Sequence, residues 1–134
     1  MPPRKQLGQR NTAQRQAILA VIEKSGGPLT VNEILDLASS DIPNLGVATV
    51  YRTVKLLLEA GDLHAVILPD GQARYESSQL EHHHHFHCRT CQTVFDMPGC
   101  MMHIPEGTSL PNGFIVEDHE ITLYGTCSSC SEQT

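Results

Sequence analysis

The chain has 134 residues, 40% of them hydrophobic, so it can bury one modest core or two very small ones. No stretch approaches the roughly 20 apolar residues that cross a bilayer, and the start lacks the apolar core of an export signal, so we expect a soluble, cytoplasmic protein. Of the net charge of −6, residues 1–60 carry seven basic and five acidic side chains, whereas residues 81–134 carry one basic and seven acidic ones. This division predicts that the N-terminal half contacts an anion and that the C-terminal half binds cations.

Three short helices are predicted in the first half of the chain. Apolar residues at helical spacing follow Asn11 and stop at residues 26–28, which predicts helix one over 11–25. Thr30 and Glu33 have the form of a capping box, so helix two should run over about 31–39. Helix three is predicted from an apolar stripe that ends before Gly61 and consists of Val47, Val50, Val54, Leu57 and Leu58.

A β-hairpin is predicted next, because strand-like runs at 63–68 and 72–77 flank the turn residues 69–71. Three helices followed by a hairpin indicate a winged helix-turn-helix, although any small helical bundle with a hairpin has the same pattern. Behind a linker near 77–81, strand-like pieces at 94–97 and 114–124 flank a turn-rich or weakly helical stretch. We therefore predict an α+β fold with domains at 1–78 and 79–134.

Two Cys-x-x-Cys pairs, Cys88/Cys91 and Cys127/Cys130, carry the most specific signal. Two thiolates separated by two residues can bind one metal ion together, and two such pairs complete a tetrahedron around zinc. Four sulfur ligands leave no open coordination position, so this zinc should stabilise the fold and not catalyse. A set of redox-active or free thiols is the alternative. The remaining Cys100 is interpreted as a small buried hydrophobic residue.

Residues 82–85 are four consecutive histidines that lead, through Phe86 and His87, into the first cysteine pair. Alternate side chains of an extended segment point to opposite faces, so His82 and His84 should lie on one side and His83 and His85 on the other. This alternation predicts two separate metal sites. A solvated histidine run is the alternative.

Three segments together, residues 46–53, 82–91 and 119–127, resemble the ferric uptake regulator family. The resemblance runs in unbroken order from about Arg10 to Cys130. It implies a homodimer with an N-terminal winged-helix DNA-binding domain and a C-terminal α/β dimerisation domain. It also implies metal-dependent binding to a double-stranded DNA operator, with no membrane partner and no small-molecule substrate.

The resemblance assigns the four paired cysteines to the structural zinc site of the family. It assigns the sensing site to His83, His85 and the acidic Glu76, with Asp96 as a further ligand in some members. Iron and peroxide sensors also use a histidine at the position of Pro28, and a proline cannot bind metal.

Zinc sensors instead use a side chain at the position that His64 occupies. The resemblance thus favours a regulatory zinc site of His64, Glu76, His83 and His85, a ligand set that suits zinc. The cysteine that zinc sensors often carry near residue 77 is absent.

A further site of the family is matched by His82, His84 and His119, with His103 where many members have a glutamate. Four imidazoles would favour zinc, nickel or cobalt over iron. Asp118 and Glu120 flank His119 and either orient its ring or are solvated. His87 has no assigned role.

The DNA-contact residues are predicted on helix three. Thr49, Arg52 and Lys55 lie three residues apart on the side away from the apolar stripe, where arginine can pair with guanine and lysine with phosphate. Tyr51 belongs to the core by its spacing, whereas the resemblance makes it a base contact. Arg10 and Arg15 on helix one are phosphate contacts or plain solvated charges.

The sequence therefore predicts a zinc-responsive repressor of zinc-uptake genes that is not an enzyme. The first alternative is an iron, manganese, nickel or peroxide sensor of the same family. Remote alternatives are a zinc hydrolase and a zinc-ribbon module that binds a protein. The hydrolase lacks a recognisable general base such as that of His-Glu-x-x-His, and neither remote class needs basic side chains on helix three.

Overall fold

Three helices and a hairpin form the N-terminal unit of the computed structural model, which describes the backbone of residues 2–132 and the side chains of residues 12–132. The helices are α1 (Pro2–Lys24), α2 (Val31–Ala38) and α3 (Val47–Glu59). Strands β1 (Leu63–Ile67) and β2 (Ala73–Ser77) pair antiparallel. Helix α1 begins at Pro2 and not at Asn11 as predicted, because prolines are tolerated in a first helical turn, whose amides have no helical partner.

Apolar side chains of all three helices share one core with Leu29, in the segment before α2, and with Leu63, the first residue of β1. The predicted stripe supplies Val50, Val54 and Leu57, and Leu58 is half-buried. Val47 is 44% exposed, contrary to the prediction, because it is the first residue of α3. The buried members of the core are Ile18, Ile22, Leu29, Val31, Ile34, Ala38, Val50, Val54, Leu57 and Leu63.

The segment before α2 joins the hairpin to the helices. Leu29 and Tyr75 of β2 exchange backbone hydrogen bonds of 3.0 and 2.8 Å, so residue 29 extends the two-stranded sheet. The helix-turn-helix and its wing are therefore one packed body. The winged-helix prediction is confirmed at this level.

The predicted capping box is present at the start of α2. The Thr30 amide donates to Glu33 Oε1 at 3.0 Å, and the Glu33 amide donates to Thr30 Oγ1 at 3.1 Å. Replacing Thr30 with alanine is expected to lower the free energy of unfolding of this unit by about 1 kcal/mol. The Glu33 amide loses its acceptor, and the Glu33 side chain that accepts from the residue 30 amide is less firmly placed. Urea denaturation checks this. Asn32→Ala, an exposed change within the same helix, should have a much smaller effect, and equal effects of both changes would contradict the capping role.

A three-stranded sheet forms the C-terminal unit. Strand β3 (His83–Cys88) lies between β4 (Val94–Pro98), to which it is antiparallel, and β5 (Thr122–Gly125), to which it is parallel. A 3-10 turn at Pro111–Gly113 and the single-turn helix α4 (Ser128–Ser131) complete the unit. The predicted strand over 114–124 is correct only from Thr122 onward, since Ile115 makes no more than an isolated bridge with Ser109.

The two compact units divide between Leu80 and Glu81. The sequence prediction placed the boundary after residue 78. Within residues 2–132, no helix is both long and apolar enough to cross a membrane.

Candidate metal centres and DNA-contact face

The four cysteines of the two Cys-x-x-Cys pairs converge beside the end of β3. Cys88 is the last residue of β3, and Cys127 is the N-cap of α4. The four Sγ atoms all lie within 4.8 Å of one another, and those of Cys91 and Cys127 are 4.0 Å apart. Zinc–sulfur bonds of about 2.3 Å give a tetrahedron with edges of about 3.8 Å, so the spacing of these thiols fits a zinc ion.

Hydrogen bonds favour a thiolate at one corner of this cysteine tetrad. The amides of Cys91 and Cys127 lie 3.5 and 3.3 Å from Cys88 Sγ and lower the pKa of the Cys88 thiol to about 6. Hydrogen bonding to Cys127, followed by burial, raises the pKa of the Cys130 thiol to about 12. Four neighbouring thiols therefore do not all lose their protons by themselves, because the thiolate charges repel one another. A bound divalent cation would compensate those charges.

His87, which had no role in the sequence prediction, contacts the turn that carries Cys91 through Gln92. It is buried, and its Nε2 donates to Gln92 Oε1 at 3.0 Å. The backbone N–H of Gln92 donates to the Cys88 carbonyl at 2.9 Å, and the Gln92 backbone has a φ of 64°, in the left-handed region. His87 therefore holds the shape of this turn.

The histidines of residues 82–85 alternate between two faces, as predicted. On one face, the rings of His83 and His85 lie 4.9 Å apart. Asp96 is directly opposite His85 on β4, and its Oδ1 lies 3.6 Å from His83 Nε2 and 3.7 Å from His85 Nε2. Ligands about 2.0–2.1 Å from a tetrahedral zinc lie about 3.3 Å apart, so a small contraction would bring these three side chains onto one cation.

The tautomer of His83 also suits metal binding. Its Nδ1 lies 2.6 Å from the Glu81 carbonyl, which can only accept, so Nδ1 must carry the proton. In the neutral ring the lone pair is then on Nε2, the nitrogen that faces Asp96.

A second donor pair lies on the wing of the N-terminal unit. His64 and Glu76 are cross-strand neighbours on β1 and β2, and His64 Nε2 lies 2.7 Å from Glu76 Oε1. The Glu76 side chain is 3% exposed and that of His64 is 48% exposed. An imidazole reachable from solvent thus stands beside a buried carboxylate. Pro28 is fully buried.

On the opposite face of β3, the rings of His82 and His84 gather with His119 and with Cys100. His84 Nε2 is 3.1 Å from His82 Nε2 and 3.3 Å from Cys100 Sγ, which in turn is 3.2 Å from His119 Nε2. Burial, together with the nearby His82 and His119, lowers the pKa of His84, so this ring is held in its neutral form.

The fourth member of this cluster differs from the sequence prediction. His103, the predicted ligand, is exposed and lines an adjoining cleft of about 270 Å³. The sulfur of Cys100, interpreted from the sequence as a buried hydrophobic residue, lies among the imidazoles instead and donates to the Met102 carbonyl at 2.7 Å. The interpretation of Cys100 needs correction, because its half-buried Sγ is a polar neighbour of two histidines.

Helix α3 presents a polar face. Arg52 and Lys55 are exposed, and Arg52 Nη2 donates to Thr49 Oγ1 at 3.2 Å. Tyr51 is 57% exposed, so the position that spacing alone assigns to the core is available for contact. Arg15 of α1 lines one shallow cleft of about 320 Å³ together with Thr49 and Arg52. The side chain of Arg10 lies outside the described residues.

Comparison with known proteins agrees with this architecture. The model of the ferric uptake regulator family matches residues 6–124. The peroxide operon regulator of Bacillus subtilis is 30% identical over 131 residues, which cover 96% of this chain and 89% of the relative.

Two solved structures are similar in fold and sequence. A zinc-bound manganese uptake regulator superposes with a TM-score of 0.67 at 28% identity, covering 85% of this chain and 87% of the other. The ferric uptake regulator of Francisella tularensis with iron has a TM-score of 0.65 at 26% identity, covering 88% and 91%. The chain therefore belongs to the ferric uptake regulator family of metal-responsive transcriptional regulators.

Proposed function

We propose that this chain is a zinc-responsive repressor that binds operator DNA as a homodimer. The family resemblance implies DNA binding and a homodimer. The names of similar proteins refer to peroxide, manganese, iron and zinc, so the choice of metal has to rest on the residues of this chain. The observation that carries the zinc assignment is the pair of His64 and Glu76, whose side chains are 2.7 Å apart on the wing.

The proposed regulatory site takes His64 and Glu76 from the N-terminal unit and His83 and His85 from the C-terminal unit, with Asp96 as a further ligand. Three imidazoles and a carboxylate form a tetrahedral set that suits zinc. His83 supports this role through its tautomer, since the Glu81 carbonyl holds the proton on Nδ1. Because ligands come from both units, occupancy of the site links the wing to the C-terminal unit.

This linkage supplies the regulatory step in our proposal. A cation stabilises whichever conformations let both sets of ligands reach it, so it shifts the population toward them. Two recognition helices of a dimer read half-sites about one helical turn apart only when their spacing is right. The preference of the metal for the linked state thereby becomes affinity for the operator.

Contact with DNA is assigned to the polar face of α3. Arg52 and Tyr51 are proposed to contact base edges, with Thr49 supporting Arg52, and Lys55 to contact phosphate. Arg15, which shares a cleft with Arg52, is placed to contact the DNA backbone beside them, and Arg10 is proposed to do the same from the start of α1. We also propose that the protein acts in the cytoplasm, with genes for zinc uptake as its targets.

Peroxide sensing is the second candidate, because the relative at 30% identity is a peroxide operon regulator. Oxidation-based sensing requires iron held by histidine ligands. The fully buried Pro28 offers no donor at the position where the family resemblance places one of them. This departure favours zinc over a peroxide-reactive iron site.

The test is an electrophoretic mobility shift on a palindromic operator of the type that the family binds. Protein that retains only its tightly held zinc is supplied in turn with Zn²⁺, Mn²⁺ and Fe²⁺. Zinc is expected to restore binding, and His64→Ala is expected to weaken zinc-dependent binding at least about tenfold because a ligand is lost. The matched control is Ile67→Ala, an exposed change on the same strand that removes no donor. Restoration by iron or manganese, with His64→Ala unaffected, would overturn the zinc assignment.

A further inference from the structure

Cys100 is the residue of the C-terminal unit whose surroundings the sequence did not anticipate. It lies two residues beyond the end of β4, beside the start of β3. Its Sγ is 3.3 Å from His84 Nε2 and 3.2 Å from His119 Nε2, and the ring of His82 lies within the same group. One ligand atom of each of these four residues lies within 4.8 Å of all the others. Their donors therefore surround one point.

The surroundings of this His–Cys cluster favour a cation. The adjoining cleft is lined by three carboxylates, Glu106, Glu117 and Asp118, and the described residues that line it include no lysine or arginine. Carboxylates at the mouth of a cleft raise the local concentration of cations. The Asp118 side chain also accepts from the His119 amide at 2.8 Å, which steadies the segment that carries the His119 ring.

The family resemblance already implies a metal site at His82, His84 and His119, and we propose that Cys100, and not His103, is its fourth ligand. One zinc ion is then bound through three nitrogens and one sulfur. A thiolate is a softer donor than the His103 imidazole expected from the sequence or the glutamate that many family members have at that position. Three imidazoles with one thiolate favour zinc, and cobalt as its spectroscopic substitute, over manganese or magnesium. This site is independent of which metal the proposed regulatory site takes.

One contact changes when metal enters. The Ile121 amide donates to His84 Nδ1 at 3.2 Å, which leaves the proton of the neutral ring on Nε2. Ligation through Nε2 moves that proton to Nδ1, where it opposes the Ile121 amide, so the ring must shift away from it. Cys100 undergoes a comparable change, because its thiol donates to the Met102 carbonyl at 2.7 Å and must release that proton to solvent to bind zinc as a thiolate. We therefore expect both the His84 ring and the Cys100 side chain to shift slightly when metal enters.

Cobalt is a suitable probe, because sulfur ligands produce a near-ultraviolet charge-transfer band that nitrogen and oxygen ligands do not. Full-length protein whose cysteine tetrad holds zinc is titrated with Co²⁺. The wild type should develop this band together with the visible bands of tetrahedral cobalt. Cys100→Ser should lose the charge-transfer band and bind Co²⁺ at least about tenfold more weakly at this site. His103→Ala is the matched control and should leave the band intact.

Three outcomes would overturn the proposal. The charge-transfer band could fail to appear in the wild type, it could persist in Cys100→Ser, or it could disappear in His103→Ala.

Alkylation of Cys100 in the wild-type protein tests the proposal without any variant that could fail to fold. The rate of iodoacetamide alkylation, followed by peptide mass spectrometry, should be slowed about tenfold or more by Zn²⁺ but not by Mg²⁺. An unchanged rate would contradict thiolate ligation.

Discussion

Replacing Cys127 with serine is expected to abolish tight binding of the proposed structural zinc ion and to unfold the C-terminal unit. The apparent binding free energy of a structural zinc ion is comparable to the whole stability of a small domain, so a lost thiolate cannot be absorbed by the remaining contacts. We expect the C-terminal unit to depend on this metal, because its described core contains few buried apolar side chains, chiefly Val94. Zinc content after dialysis and thermal unfolding followed by circular dichroism measure the effect.

Ser129→Ala is the matched control for this experiment. It changes an exposed side chain between Cys127 and Cys130 but leaves all four thiols in place, so zinc content and unfolding temperature should stay at the wild-type values. Retention of tightly bound zinc by Cys127→Ser, with an unchanged unfolding temperature, would contradict a structural site made of the four cysteines.

Arg52→Ala is expected to weaken operator binding by about 1–3 kcal/mol and to relax specificity at one base pair. The Arg52 side chain is exposed on α3, and its guanidinium is steadied by the bond to Thr49 Oγ1, so little conformational entropy remains to be lost on contact. Fluorescence anisotropy on the operator and on its single-base variants measures both changes.

Lys55→Ala provides the contrast for Arg52. As a phosphate contact it should weaken binding to all sequences alike and reduce the salt slope by about one. Glu59→Ala, at the last residue of the same helix, should change neither property. If Arg52→Ala also weakened binding uniformly across all sequences, Arg52 would be a phosphate contact and the base assignment would be wrong.

Local patterns were sufficient for several elements. Thr30 and Glu33 predicted the start of α2, because a capping box depends on residues only three apart in the chain. The alternation of His82 to His85 predicted two faces, since the period of a strand is two. The convergence of the two Cys-x-x-Cys pairs was predicted because a structural zinc ion takes four ligands in a tetrahedron, and each pair supplies two of them.

Positions that depend on neighbouring elements were predicted less well. Val47 continues the apolar spacing of α3 but is exposed, and Tyr51 lies at the edge of that stripe yet is also exposed. Spacing identifies a face of the helix but not how far along it the core extends. The apolar residues 114 and 115 likewise read as a strand, although the parallel strand begins only at Thr122, where it meets β3.

The amino-acid sequence by itself determined the family, the winged-helix architecture, the cysteine tetrad and the two faces of the histidine strand. The two faces follow from alternation within one strand, the cysteine tetrad from the spacing within its two pairs, and the family and its architecture from the resemblance of segments along the chain. The identity of the fourth neighbour of His82, His84 and His119 was decided only by the tertiary structure. The antiparallel register of β3 with β4 pairs His83 with Pro98, and this carries Cys100 to the start of β3, whereas His103 continues into the adjoining cleft. The short turn between β3 and β4 sets the register of this hairpin, but the path of the chain beyond Pro98 depends on its packing against His84 and His119, which no local pattern encodes.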